Sequence, residues 1–377
     1  MKIQMKGEGK RRTRLANTAL LALSLLVSFL ILEAGLRWHY YDRYGPYRLA
    51  VSYALDHLIN GPRPFGLSGL ELNRTAWESS YTERGLQVPE RGEPREGFWG
   101  FGIKPKDTAC GLIGDLVCER PQVIPGLIEI DRGGFQHAGR LENPSPHILI
   151  IGGSVAFGAY ASGIDKTYFH RLAGLLKSRF PDIGISVFGV GSALSSNDLA
   201  AFVLRGLDIR PDLVIFLNGL NDLVNPGGDD FSAYARQYLG NMEVAQHIAA
   251  EHNIPVVFAL QPFLGEKKVK TALEERILDL SVRKYEETVN PHYDRIRKGL
   301  KALADRSPSS FFIDCSGIFN NEKVTTFADQ WHFSDPGHEI LAAKLARDLL
   351  PVLEQIAGKP RGRKTEAIRS IDLYTLL

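Results

Sequence analysis

Apolar and polar positions along the second half of this 377-residue chain fall into a repeating pattern. His147 opens a continuous apolar run, Ile148-Leu149-Ile150-Ile151, that ends in Gly152-Gly153, the pattern of a buried parallel strand feeding a tight turn. Tyr168, Phe169, Leu172, Leu175, Leu176 and Phe180 then recur at helical spacing and are stopped by Pro181. The cycle continues with a strand over 185–189, a helix over 197–207, a strand over 213–217, a helix over 234–252 and a strand over 255–260. A helical stretch over 273–304, interrupted near Pro291, precedes a short strand over 311–314 and a closing amphipathic helix over 338–356. Strands alternating with helices predict an α/β fold: a doubly wound parallel sheet flanked by helices in three layers, of the flavodoxin-like kind. Sites in such sheets lie at the carboxyl ends of the strands.

The first 145 residues have a different texture. Lys2, Lys6, Lys10, Arg11, Arg12 and Arg14 precede an uncharged run from Leu15 to Leu32, whose only polar members are Asn17, Thr18, Ser24 and Ser28. A bilayer needs roughly 20 apolar residues, so the pattern predicts a basic cytoplasmic segment over 1–14 and a transmembrane signal-anchor over 15–35. Trp38, Tyr40 and Tyr41 stand where aromatic side chains sit at the headgroup boundary. A cleaved secretory signal is the alternative, with Ala34 and Gly35 as small residues, and Arg11-Arg12 also permits a twin-arginine reading. No Ala-x-Ala site follows, and Glu33 and Arg37 flank the exit, which favours the anchor. All three readings place the remainder outside the cytoplasmic membrane, in a periplasmic or extracellular setting. Residues 36–145 are rich in Gly, Pro, Arg and Glu and read as an irregular accessory region or spacer. The catalytic domain is expected over 146–358 and a solvated basic tail over 359–377.

Charge narrows the partners. The chain carries 45 basic and 43 acidic side chains, a formal net charge of +2, so no whole-molecule field draws nucleic acid. No nucleic-acid partner is expected. The three cysteines form neither a Cys-x-x-Cys pair nor a Cys/His cluster, and no metal is expected. Gly152, Gly153 and Gly158 miss the Gly-x-Gly-x-x-Gly spacing, so no dinucleotide or other cofactor is expected either. Cys110 and Cys118 are spaced to bridge a short loop in an oxidising compartment or to remain thiols; Cys315 reads as a buried thiol.

Three polar clusters fall on the predicted rim. Ser154 follows the first strand, Asn221 and Asp222 follow the third, and Asp329 and His332 lie between the last strand and the last helix. A serine hydroxyl becomes a nucleophile when an imidazole takes its proton, and a carboxylate holds that imidazole in the required tautomer. Within one turn, Asp329 can reach one ring nitrogen of His332 while the other faces Ser154. The oxyanion donors are then the Ser154 backbone N–H, a backbone N–H near Gly191 and Ser192, and the Asn221 amide. Each residue taken singly has a plainer reading, as a helix cap, a half-buried histidine or a turn. Occurring together, in order and at strand ends, they favour catalysis. His338, after Asp335-Pro336-Gly337, reads as a first-turn helix residue and not as a second base.

The blocks Gly-Gly-Ser154, Gly189-Val190-Gly191, Gly219-Leu220-Asn221-Asp222 and Asp329-Gln330-Trp331-His332 resemble those of the SGNH, or GDSL-like, hydrolase superfamily over roughly residues 146–355. The resemblance implies that Ser154 is the nucleophile and first oxyanion donor, Asn221 the side-chain donor, His332 the base and Asp329 its orienting partner. Two departures stand out: Gly-Gly-Ser replaces the frequent Gly-Asp-Ser, and Ser192 holds the usual place of the oxyanion glycine, with Gly191 one residue earlier. The anchor, the irregular segment ending in Gly134-Phe135 and the Gly-Gly-Ser strand end resemble exported members associated with cell-envelope polysaccharides. The implied function is a serine ester hydrolase, an acyl or acetyl esterase, acting on an acylated small molecule or polysaccharide, with the N-terminal helix as its membrane partner. O-acyl transfer to an envelope polysaccharide through the same residues, and a non-catalytic envelope or carbohydrate-binding module, are the alternatives. No long apolar lid is legible near Ser154, which points to a short acyl group.

Overall fold

The computed structural model describes residues 24, 26–29, 122–124, 126, 128–190, 194–224, 230–279 and 289–358. The chain divides into two units, Met1–Gly69 and Leu70–Leu377. In the first, Ser24 and the stretch 26–29 are helical, and Leu26, Val27 and Phe29 are exposed. Most of the expected anchor over 15–35 lies outside the described residues, as do Cys110, Cys118 and the tail over 359–377. Among the described residues no helix is long and apolar enough to cross a membrane.

In the second unit a small antiparallel pair, β1 (Gln122–Ile124) with β2 (Ile128–Ile130), precedes the main sheet. That sheet contains β3 (Gln136–Gly139), β4 (His147–Gly152), β5 (Gly184–Gly189), β6 (Leu213–Asn218), β7 (Val256–Leu260) and β8 (Ser310–Asp314), in the order β3-β5-β4-β6-β7-β8. Strands β4 to β8 are mutually parallel and follow the predicted runs closely. Between them run α1 (Ser154–Phe157), α2 (Tyr168–Leu176), α3 (Ser195–Ala201), α4 (Asn221–Val224), α5 (Phe231–Glu251), α6 (Ala272–Asp279), α7 (Asn290–Asp305) and α8 (Asp335–Ala357). The interruption expected near Pro291 is observed: Pro291 sits in the first turn of α7, where its missing N–H leaves no intrahelical bond unmade. A π-turn over Phe202–Gly206 prolongs α3.

Side-chain alternation along the parallel strands sorts two cores. Ile148, Ile150, Ile185, Val187, Ile215, Leu217 and Val257 face α2 and α8, together with Leu172, Leu345 and Leu349. Leu149, Ile151, Phe188, Val214, Phe216 and Phe258 face α3, α5 and α7, together with Phe202, Met242 and Ile296. Burial on both faces is what demands strands apolar at every position. Cys315 is buried and unbridged, and burial pushes its thiol up to about 12.

The sheet departs from the sequence expectation at one edge. β3 pairs antiparallel with β5, so the sheet is mostly and not wholly parallel, and it starts ten residues before the expected domain boundary at 146. Gln136-His137-Ala138-Gly139 has no apolar run to reveal a strand. It is tied down by side chains instead: the Ser186 hydroxyl on β5 hydrogen-bonds both His137 Nδ1, at 3.1 Å, and His147 Nε2, at 2.8 Å, while His137 Nε2 meets Asp131 at 3.0 Å.

Candidate active site

The strand order reverses between β4 and β6, which opens a crevice at their carboxyl ends. Two glycines bring the chain round that corner. A Cβ on Gly152 would stand 2.1 Å from the Leu217 carbonyl oxygen of β6, and one on Gly153 would stand 2.3 Å from Asn221 Nδ2. The bare backbone therefore lets β4 close on β6 and lets Asn221 lie against the turn that presents Ser154. Ser154 is the first residue of α1 and is 8% exposed.

His332 arrives on a tight hairpin. Phe327 and Phe333 form an antiparallel bridge, Ala328 N–H donates to the His332 carbonyl at 2.8 Å, and Ser334 N–H donates to the Thr326 carbonyl at 3.0 Å. Asp329 sits in its bend. One carboxylate oxygen accepts from the backbone N–H groups of Trp331 and His332, both at 2.8 Å; the other lies 2.7 Å from His332 Nδ1. His332 Nε2 is 2.7 Å from Ser154 Oγ. A carboxylate only accepts, so Nδ1 carries the hydrogen and Nε2 is left to accept from the serine hydroxyl. The structure thus brings Ser154, His332 and Asp329 together as the spacing anticipated, across 178 residues of chain.

Of the expected oxyanion group, Asn221 opens α4 beside Gly153. Gly191 and Ser192 lie outside the described residues. The Asp222 carboxylate, next to Asn221 in the chain, accepts from Ser195 N–H at 3.1 Å and Ser195 Oγ at 2.5 Å. Behind it, Asn218 donates to Asp198 at 2.6 Å and accepts from the Tyr238 hydroxyl at 2.7 Å. Burial pushes the Asp198 carboxyl up to about 8, against the pull of the Asn218 hydrogen bond, with nearby Asp222 adding to the rise. Burial also raises Asp222, to about 6, while the bonds from Ser195 restrain it. His338 stands in the first turn of α8, as expected; burial lowers it to about 3, and its Nε2–H donates to the Ala159 carbonyl at 3.1 Å.

Two features of the site have no mark in the sequence. Tyr160 stacks on the His332 ring, with centroids 4.9 Å apart. Beneath the hairpin, Lys267 and Glu274 form an ion pair of zero exposure at 2.6 Å. Lys267 also donates to the Val324 carbonyl at 2.9 Å, and Glu274 accepts from Thr326 N–H at 2.9 Å. Charged residues in a polar-looking segment read as surface; only their burial exposes the role. Among the described residues, no group of three His, Cys, Asp or Glu side chains is arranged to hold a metal ion.

A three-layer α/β sheet with a serine, histidine and aspartate joined by hydrogen bonds at its carboxyl edge marks a hydrolytic enzyme. Residues 150–340 match the GDSL-like lipase/acylhydrolase family, and the chain belongs to that family. It is an ester-hydrolysing enzyme. Similar solved structures include a catalytic mutant of an acetylxylan esterase from Geobacillus stearothermophilus, 18% identical, with a TM-score of 0.44 over 55% of this chain and 96% of that one. Another acetyl xylan esterase is 18% identical, with a TM-score of 0.42 over 54% of this chain and 99% of that one. No curated protein matches the chain in sequence.

Proposed function

We propose that this enzyme is a serine esterase in which Ser154 is the nucleophile, His332 the general base and acid, and Asp329 the group that orients His332. The observation that carries the reading is the pair of 2.7 Å contacts on opposite sides of one imidazole, Asp329 on Nδ1 and Ser154 on Nε2. In the first half-reaction Ser154 Oγ attacks the acyl carbonyl carbon and its proton passes to His332 Nε2. The imidazolium is held by the Asp329 carboxylate. The oxyanion is received by the Ser154 backbone N–H, the Asn221 amide and an N–H from Gly191 or Ser192. Collapse of the intermediate expels the alcohol, which takes the proton from His332. Water, deprotonated by the same nitrogen, then attacks the acyl-serine, releases the carboxylic acid and restores the hydroxyl.

The substrate we assign is a short acyl ester, with acetyl the working case, carried by a small molecule or a cell-envelope polysaccharide. The enzyme acts outside the cytoplasmic membrane, held there by the helix over 15–35. The supports for this part are the basic segment before the uncharged run of Leu15–Leu32 and the absence of a legible apolar lid in the sequence near Ser154.

The test is hydrolysis of p-nitrophenyl acetate and of a long-chain p-nitrophenyl ester by the full chain, with fluorophosphonate labelling and with Ser154→Ala. The acetyl ester is expected to be turned over faster. Ser154→Ala is expected to abolish labelling and to lower kcat by about 10⁴-fold or more. A folded Ser154→Ala enzyme with undiminished turnover overturns the assignment.

A further inference from the structure

The loop leaving α1 carries a side chain that the serine-to-aspartate relay does not use. Tyr160 has φ of 69°, in the left-handed region. Bulky residues rarely hold this conformation, because Cβ crowds the neighbouring carbonyl, whereas glycine or asparagine takes it with little strain. Backbone strain of this kind persists only where the surroundings over-determine it. Here the first turn of α8 grips the loop on both sides of the strained residue. His338 Nε2 donates to the Ala159 carbonyl at 3.1 Å. Asp335 accepts from Ser162 N–H at 2.7 Å and also from the Ser162 hydroxyl. Between these two grips Tyr160, 7% exposed as a residue, belongs to a buried cluster with Ile130, Phe157 and Ala328. Its ring lies on the His332 imidazole at 28° between planes. Since α8 begins directly after the hairpin that carries His332, one element sets the loop that follows α1 and the hairpin of His332 against each other.

We propose that Tyr160 is a positioning residue for ester hydrolysis, whose ring both fixes the plane of the His332 imidazole and receives the imidazolium on its π face. The inference rests on the assignment of His332 as the base. Hydrogen bonds at Nδ1 and Nε2 restrain the imidazole along the line joining Asp329 to Ser154 but resist tilting about that line only weakly. A ring stacked on its face removes the tilt. When His332 takes the serine proton the ring becomes a cation, and the negative face of an aromatic ring attracts a cation. The neutral ground state gains less, so the contact favours the transition state selectively.

The experiment compares the full-length wild type with Tyr160→Phe, Tyr160→Leu and Tyr160→Met on p-nitrophenyl acetate, with Ser154→Ala as control and thermal unfolding of each variant. Phe keeps the π face and is expected to stay within about threefold of wild type in kcat. Leu and Met keep apolar bulk without a π face and are expected to lower kcat by about 10- to 30-fold with KM little changed, the loss of a desolvated cation–π contact. Fluorophosphonate labelling should slow by the same factor, while their unfolding temperatures stay near that of the Phe variant. Leu and Met enzymes with wild-type kcat overturn the proposal. So do Phe, Leu and Met variants that lose activity alike and in step with unfolding temperature, because the ring would then serve the fold alone. If Ser154→Ala retains activity, the parent assignment falls; if it is inactive while Leu and Met are unimpaired, only the role of Tyr160 falls.

Discussion

At Gly153 a single hydrogen atom decides the placement of the Asn221 amide. A methyl group there would stand 2.3 Å from Asn221 Nδ2, well inside van der Waals contact, so one of the two must give way. Gly153→Ala is expected to push the amide out of position and to lower kcat by about 100-fold, the scale of one lost oxyanion donor. Asn221→Ala should cost a similar factor, and the double variant little more than either, because both remove one interaction. Ester turnover by the three variants is the check. Additive losses would show that Gly153 acts through something other than Asn221.

Among the elements, the hairpin carrying Asp329 and His332 depends on a charge pair it does not contain. Lys267 and Glu274, wholly buried, reach up to the Val324 carbonyl and the Thr326 and Phe327 N–H groups at the hairpin's base. A buried pair contributes little net stability, but removing one partner strands the other charge in a low dielectric. Lys267→Met is expected to destabilise the fold by about 3–5 kcal/mol. Adding Glu274→Gln should restore part of that loss, since a neutral amide is cheaper to bury than an unpaired carboxylate. Denaturant unfolding of the single and double variants measures both. A double variant less stable than Lys267→Met would show that the carboxylate bonds to the hairpin outweigh its unpaired charge.

For the whole molecule, burial of ionisable groups sets how stability varies with pH. Asp198 keeps its proton in the fold to about pH 8, whereas an unfolded aspartate releases it near its ordinary value of 3.8. Between those values the native state binds the extra proton, so stability falls as pH rises, and the loss is complete above about 8. His338 acts in the opposite direction: its folded value of about 3 lies below the ordinary histidine value of 6.5, so its contribution is lost as pH falls below 6.5. From pH 6.5 to 8 the Asp198 effect therefore runs without opposition from His338. Asp198→Asn removes it and leaves a side-chain oxygen for the Asn218 bond. The unfolding temperature of Asp198→Asn relative to wild type is expected to be more favourable at pH 8.5 than at pH 6.5. An unchanged difference would show that Asp198 is ionised in the fold at both.

What the amino-acid sequence determined by itself was local and periodic. Strands buried on both faces must be apolar throughout, glycine and proline punctuate their ends, and so β4 to β8, the longer helices between them, and the positions of Ser154, Asn221, Asp329 and His332 past strand ends were legible, whereas the one-turn helices α1 and α4 were not. The Asp329–His332 pair was legible for the same reason, since three residues of one bend bring the carboxylate to the ring. Tertiary structure alone decided the rest. Gln136-His137-Ala138-Gly139 becomes a strand because β5 offers an edge and Ser186 a shared hydroxyl. Lys267 and Glu274 become a brace because the fold buries them, and Tyr160 comes to lie on His332 because α8 grips its loop. In each case the deciding interaction joins segments distant along the chain, where burial and pairing depend on the folded arrangement and leave no period or spacing in the sequence.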